Sequence, residues 1–346
     1  MSSTPTDLKG FIGQLAQGRP LSRQQAEQAF GIMMSGEATP AQIGGFLMAM
    51  RVRGETIDEI TGAVSVMRDK MTRIKSPAGA IDVCGTGGDQ AGTLNISTAV
   101  AFVCAACEVP VAKHGNRAAS SKSGAADVLA ALGVNIDADM ETVEAALAEV
   151  GTTFMWAQKH HSAMRHVGPS RVELGTRTIF NIMGPLSNPA GVTRQLLGVF
   201  AEQWLEPMAQ VLKNLGSTHA WVVHGGDGLD ELTTTTVSHV CELKNGAIRR
   251  FEISPSDLGL ETASAEDIRG GDPEQNAAAI RALFDGEVGP YRDIVLLNAG
   301  AALVVADKAK DIKAGMKLAA EAIDFAKARK VLENLIRFTN QAKAPA

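Results

Sequence analysis

Residues 81–89 read Ile-Asp-Val-Cys-Gly-Thr-Gly-Gly-Asp, and the chain continues Gln90-Ala91-Gly92-Thr93-Leu94-Asn95-Ile96-Ser97-Thr98. A short, largely apolar run ends in a glycine loop, and the loop ends in residue types that begin helices. Strand, loop and helix in that order form the repeating unit of an α/β layer with a mainly parallel sheet. Glycines let a backbone approach a ligand closely, and free N–H groups at a helix start favour anions. The loop is neither a dinucleotide fingerprint nor a Walker A loop: Gln90 replaces the third glycine of the former, and Thr93 the lysine of the latter. Gly85, Gly87, Gly88 and Gly92, followed by Asn95, Ser97 and Thr98, are more than a tight turn needs. They point to an anion cradle.

The same unit recurs downstream. Val109–Ala112 leads into Lys113-His114-Gly115-Asn116-Arg117-Ala118-Ala119-Ser120-Ser121-Lys122-Ser123-Gly124. Crowding basic side chains and serines into one loop focuses positive potential locally, although the whole chain carries a net charge of −5. Two adjacent cradles at strand ends suit a ligand with two separate phosphate groups. Further strands are expected at Gln195–Phe200 and Ala220–Val223. After the second comes Asp227-Gly228-Leu229-Asp230-Glu231, which reads either as a Mg²⁺-holding carboxylate set beside a polyphosphate or as a turn with a solvated acidic face. Asn245-Gly246 between two strand-like runs predicts a hairpin.

Upstream, the first seventy-odd residues read as helices alone. Ser22 with Gln25 and Thr56 with Glu59 have capping-box spacing, and Thr39 precedes Pro40 at a first helical position. Phe46, Met48 and Met50 suit either a subunit interface or the core of this bundle. From Asp272 to Phe338 the chain reads as helical again. The expected architecture is α/β, with a small N-terminal helical domain over 1–75 and a larger α/β domain over 76–346.

Composition narrows the function classes. The 346 residues include 33 basic and 38 acidic side chains, with 45 % hydrophobic and 4 % aromatic residues. That balance excludes disorder and is wrong for general nucleic-acid binding or base stacking. The longest apolar run, Ala99–Cys107, falls far short of the roughly 20 residues a spanning helix needs, so no membrane partner is expected. The N-terminal residues lack a secretory pattern. Of the four cysteines, Cys104 and Cys107 lie in an apolar helical run with no second pair to complete a zinc site, which predicts packing and a reduced cytoplasmic setting. His219, His224 and His239 read as strand residues, and His160, His161 and His166 as one helical stretch.

Taken together, GTGGD at 85–89, NIST at 95–98, KHGNRAASSKSG at 113–124, RVELGTRTIFNIMGPLSNPAG at 171–191, DGLDE at 227–231 and LLNAGAAL at 296–303 resemble the anthranilate phosphoribosyltransferase family. The resemblance runs from about residue 7 to 335. It implies a nucleoside phosphorylase/phosphoribosyltransferase-like fold, with the segment near 170–190 returning to the helical domain, and a homodimer. It implies transfer of phosphoribose to the amine of anthranilate, the second step of tryptophan biosynthesis. Phosphoribosyl pyrophosphate would be bound by Gly85, Gly88, Asp89, Thr93, Asn95, Ile96, Ser97, Thr98, Lys113, His114, Gly115, Asn116, Arg117, Ala118, Ala119, Ser120, Ser121 and Ala125. Ser97, Asp230 and Glu231 would hold two Mg²⁺ ions. Gly85, Asn116 and Arg171 would contact anthranilate, with Arg171 facing its carboxylate. Catalysis would rest on Lys113, Arg171 and Asp89. The same architecture also accommodates another aromatic acceptor, or pyrimidine nucleoside phosphorolysis. Gln90, Trp156-Ala157-Gln158, Ser162 and Thr233–Thr236 depart from the family pattern.

Overall fold

The structure is a computed structural model that describes residues 7–117 and 122–341. Four helices come first: Lys9–Ala16, Arg23–Ser35, Pro40–Arg53 and Ile57–Lys70. Ser22, Thr39 and Thr56 each close a capping box, with Gln25, Gln42 and Glu59 returning the bond. Phe46 and Met50 are completely buried, and Met48 is half-buried. Phe46 and Met50 therefore belong to the bundle core.

Seven strands follow: β1 (Ile81–Gly85), β2 (Val111–Gly115), β3 (Thr152–Trp156), β4 (Arg194–Gly198), β5 (His219–Gly225), β6 (Ser238–Lys244) and β7 (Ala247–Ile253). They form one sheet in the order β3-β2-β1-β4-β5-β6-β7. The first five are parallel to one another, and β6 and β7 are an antiparallel hairpin. Asn245 and Gly246, at φ of 50° and 80°, make the primed turn that suits the twist of the flanking strands. From β1 the chain builds outward to β3, then crosses to the other side of β1 for β4. The reversal opens a crevice at the carboxyl ends of β1 and β4, where ligands of open α/β sheets bind.

Alternate side chains along β4, β5 and β6 serve two cores. Leu196, Trp221, Val223 and Val240 pack with helices Ile96–Ala106, Pro273–Phe284 and Pro290–Val305. Leu197, Val222, Cys241 and Leu243 pack with helix Leu205–Asn214 and with the N-terminal helices. Between β3 and β4 the chain leaves the sheet. Its helix Gly168–Leu174 lies against Pro40–Arg53, and Phe180 meets Phe30 edge-on at 5.8 Å between ring centroids.

Three expectations need correction. β2 runs through Gly115, so Lys113 and His114 are strand residues and not loop residues. The His160–His166 stretch is broken into a four-residue helix ending at His160 and a 3₁₀ turn from Ser162. β3 is an addition to the expected strands: it is a short edge strand whose two threonines mask its apolar content. His219 and His224 lie in β5 and His239 in β6, as expected. All four cysteines are buried free thiols. Among the described residues no helix is long and apolar enough to cross a membrane.

Candidate active site

The crevice is organised by two glycines and one aspartate. Gly85 and Gly198 end β1 and β4 in register with one another, and Asp230 descends between them. A Cβ on Gly198 would lie 1.5 Å from the Asp230 carbonyl oxygen, and one on Gly85 would lie 2.2 Å from Asp230 Oδ2. Neither glycine has a positive φ; close approach, not a turn, demands the missing side chain. The Gly87 N–H donates to Asp230 Oδ2 at 2.6 Å, which locks the glycine loop to the acidic segment.

Carboxylates concentrate here. Burial, followed by the nearby Asp89 carboxylate, raises Asp230 to about 7. Burial, followed by Asp230, raises Glu231 to about 8, against the opposing pull of Lys113 and of the Ser97 N–H. Lys113 is the counter-charge. Its Nζ donates to the Val83 carbonyl at 2.7 Å and to Ser97 Oγ at 3.0 Å. Burial lowers its pKa, while Asp82, Cys84, Glu231 and Asp230 favour its charged form. In the glycine loop, the N–H groups of Gly88, Asp89 and Gln90 have no protein partner among the described residues. Carboxylates beside a buried lysine, tied to a loop with unpaired N–H groups, can hold a polyanion and a divalent cation together.

The helix after the loop starts at Ile96. Asn95 does not cap it with its side chain, because Asn95 Oδ1 accepts from Asn276 Nδ2 at 2.8 Å and from Ser123 Oγ at 3.2 Å. This second contact ties the two glycine-rich segments together. Thr93 bridges to Arg269, the Ile96 side chain is core, and the buried Thr98 Oγ1 finds no partner among the described residues.

The second segment divides its side chains between faces. His114 is buried; its N–H donates to Asp82 Oδ1 at 3.3 Å and its Nε2 lies 3.2 Å from Nε2 of His161. Burial, then the neighbouring His161, holds His114 well below the usual imidazole range, and burial takes His161 to about 4. Both rings are therefore neutral at pH 7, one donating to the other. A Cβ on Gly115 would meet Phe154 at 2.9 Å and the Cβ of Ala125, which opens the next helix, at 3.4 Å. Asn116 Oδ1 accepts from Trp156 Nε1 at 3.1 Å, and Arg117 pairs with Asp127 at 3.2 Å. Ala118, Ala119, Ser120 and Ser121 lie outside the described residues.

The structure thus brings together Gly85, Gly88, Asp89, Ser97, Lys113, Asp230 and Glu231. Arg171 stands apart on helix Gly168–Leu174, with its guanidinium 5.1 Å from the Phe180 ring centroid. It has no acidic partner among the described residues, and burial draws its pKa below the usual guanidinium value. Two groups escaped the sequence reading. Arg177 donates to the Gly88 carbonyl. Asn188 donates to the buried Asp82 at 2.7 Å and to the Ala112 carbonyl at 2.8 Å, joining the excursion after β3 to the sheet. A polar residue in the middle of an apolar strand, as at Asp82, was the available signal.

Comparison with known proteins agrees with this geometry. Residues 78–329 match the a/b domain of the glycosyl transferase family, and residues 9–71 match its helical bundle domain. An anthranilate phosphoribosyltransferase of Rhodospirillum rubrum is 63 % identical over 334 residues, covering 96 % of each chain. One of Parvibaculum lavamentivorans is 61 % identical, covering 97 % of this chain and 98 % of its own. Among solved structures, anthranilate phosphoribosyltransferase from Thermus thermophilus superposes with a TM-score of 0.90 at 42 % identity, covering 95 % of this chain and 99 % of that one. The Saccharomyces cerevisiae enzyme in complex with PRPP and Mg superposes with a TM-score of 0.86 at 25 % identity, covering 96 % and 98 %. Strand order, loop chemistry and whole-length similarity converge: the chain belongs to the anthranilate phosphoribosyltransferase family.

Proposed function

We propose that the chain transfers the phosphoribosyl group of phosphoribosyl pyrophosphate to the amine of anthranilate, giving N-(5-phosphoribosyl)anthranilate and pyrophosphate, the second step of tryptophan biosynthesis from chorismate. The observation that carries this reading is the Asp230 key between Gly85 and Gly198, bound to the Gly87 N–H of the glycine loop and near the buried Lys113. The helical part over 1–75, with its returning segment near 170–190, would bring the acceptor to the donor held by residues 76–346. We assign the working assembly to a cytoplasmic homodimer.

The residues present fit Mg²⁺. Ser97, Asp230 and Glu231 offer hard oxygens, and a cation offsets the burial and the neighbouring negative charge that raise both carboxylates. Mg²⁺ commonly keeps several waters and is bound through one or two carboxylates together with substrate phosphates. Two ions would be held, and their chemistry is to neutralise the leaving pyrophosphate. The chain's own residues do the rest. Unpaired N–H groups at Gly88, Asp89 and Gln90 bind phosphate oxygens, and Lys113 stabilises charge on the leaving group. Gly85, Thr93, Asn95–Thr98, the Lys113–Ser121 segment and Ala125 complete the donor site. Arg171 fixes the anthranilate carboxylate bidentately, with Gly85 and Asn116 beside it. The acceptor amine is neutral at pH 7 and needs orientation more than a strong base.

The direct test is a fluorescence assay of anthranilate consumption with phosphoribosyl pyrophosphate, with and without Mg²⁺. Metal-dependent loss of anthranilate with release of pyrophosphate is expected; no turnover while the donor still binds would overturn the acceptor assignment. Arg171→Ala should raise the KM for anthranilate about tenfold or more, because a charge-assisted fork is lost, and leave the donor KM within about twofold. Abolished donor binding would remove Arg171 from the acceptor role.

A pH dependence follows from the carboxylates. In metal-free protein, Asp230 and Glu231 titrate at about 7 and about 8, against ordinary values of 3.8 and 4.5. Between those limits the folded state holds protons that the unfolded chain has released, so this contribution to stability falls as pH rises. Mg²⁺ removes that penalty and competes with the protons. The rise in Tm on adding Mg²⁺ should therefore be larger at pH 8 than at pH 6; equal rises would exclude these carboxylates as ligands.

A further inference from the structure

Arg177 lies six residues beyond Arg171 on the excursion after β3. It is half-buried, has no acidic partner among the described residues, and donates through Nη2 to the Gly88 carbonyl. Its guanidinium stacks 4.2 Å from the centroid of the Phe200 ring. That ring is itself fastened to the loop, since the Phe200 N–H donates to Thr86 Oγ1 at 3.1 Å and the Thr86 N–H to the Gly198 carbonyl at 2.9 Å. Gly88 sits at φ +79°, and a Cβ there would approach Arg177 Nη2 to 3.0 Å.

We propose that Arg177 is a positioning residue for the donor loop: by holding the Gly88 carbonyl it orients the Asp89 N–H as a phosphate donor. The proposal rests on reading Gly85–Gly92 as the loop that takes phosphoribosyl pyrophosphate. In a trans peptide the carbonyl and the following N–H point to opposite sides, and no cis bond occurs among the described residues. Anchoring the Gly88 carbonyl on a cation thus turns the Asp89 N–H away from Arg177, and the bond polarises the peptide and strengthens that donor. The loop needs such an anchor. Gly87, Gly88, Gln90 and Gly92 all adopt positive φ, and glycine-rich backbone loses the most freedom when it is ordered on a ligand. A guanidinium suits the task because it donates in its plane while stacking on an aromatic face.

Calorimetric titration of the whole chain with phosphoribosyl pyrophosphate and Mg²⁺ reads this without any turnover. Arg177→Ala should weaken donor binding on the order of tenfold, the loss of a bond to a charged group. Arg177→Lys keeps a charged donor without the stack and should fall between. At saturating donor, the KM for anthranilate should stay within about twofold of the parent, which separates positioning from general loosening. Unchanged donor affinity in Arg177→Ala, or equal weakening of both substrates, would overturn the role. A parent chain that fails to bind phosphoribosyl pyrophosphate would overturn the donor reading itself, and the proposal with it.

Discussion

Asp230→Asn combined with Glu231→Gln should lower kcat/KM on the order of 10³-fold or more and abolish the response to Mg²⁺. Preorganised charge at a reacting centre contributes about 10²–10³ per group removed, and here the two groups that would carry the cation go together. Stability should move the other way. Both carboxylates have raised pKa values, mainly through burial and then through charged neighbours, so neutral isosteres relieve a strain that the metal-free protein carries. The double variant should unfold at the same or a higher temperature than the parent when both lack Mg²⁺, the usual trade between a charged site and stability. Retained Mg²⁺-dependent turnover in the double variant, measured beside the parent across a metal titration, would refute the metal assignment.

Gly198→Ala should be nearly as damaging, though it adds a single methyl group. The new Cβ would fall 1.5 Å from the carbonyl oxygen of Asp230 and 2.4 Å from its carbonyl carbon. Neither neighbour is a flexible side-chain end, so backbone must move. Overpacking of this kind costs about 1–3 kcal/mol, at times more, and the displaced segment carries Asp230 and Glu231. Denaturant unfolding should show the loss, and the apparent Mg²⁺ requirement should rise steeply. Gly45→Ala is the control. It lies in the exposed middle of helix Pro40–Arg53 with nothing within 4 Å of a Cβ, and should stabilise by about 0.5–1 kcal/mol. Parent-like stability and activity in Gly198→Ala would show that Asp230 is not wedged as described.

Much of this was legible from local rules. Caps at Ser22, Thr39 and Thr56 and the turn at Asn245-Gly246 depend on near neighbours, and near neighbours are what a sequence displays. The glycine loop and the acidic DGLDE segment were visible because their residue types are chemically unusual. What stayed hidden depends on contacts between distant parts of the chain. Gly198 looks like any glycine at a strand end until Asp230 is set against it. Arg177 binds a backbone carbonyl, a partner with no residue identity of its own. Lys113 and His114 read as loop residues because they are polar. They are buried in β2 because Val83, Ser97 and the carboxylates satisfy the first, and His161 with Asp82 the second. Asn95, a good capping type, is diverted from capping by Asn276 and Ser123.

The crossing from β3 back to β4 also governs how the chain acquires its form. β1 lies at the heart of the sheet, yet its partner Arg194 in β4 is paired with Ile81 across more than a hundred intervening residues. Pairings of such long range are slow to form, because the loop must close before the contact rewards it. On a ribosome, β1, β2 and β3 emerge first, and until β4 arrives the β1 margin is an open strand edge able to capture another nascent chain. The crevice between β1 and β4 therefore cannot form until β4 and the Asp230 segment have been made, and until then the open β1 edge is where misassembly during synthesis would begin.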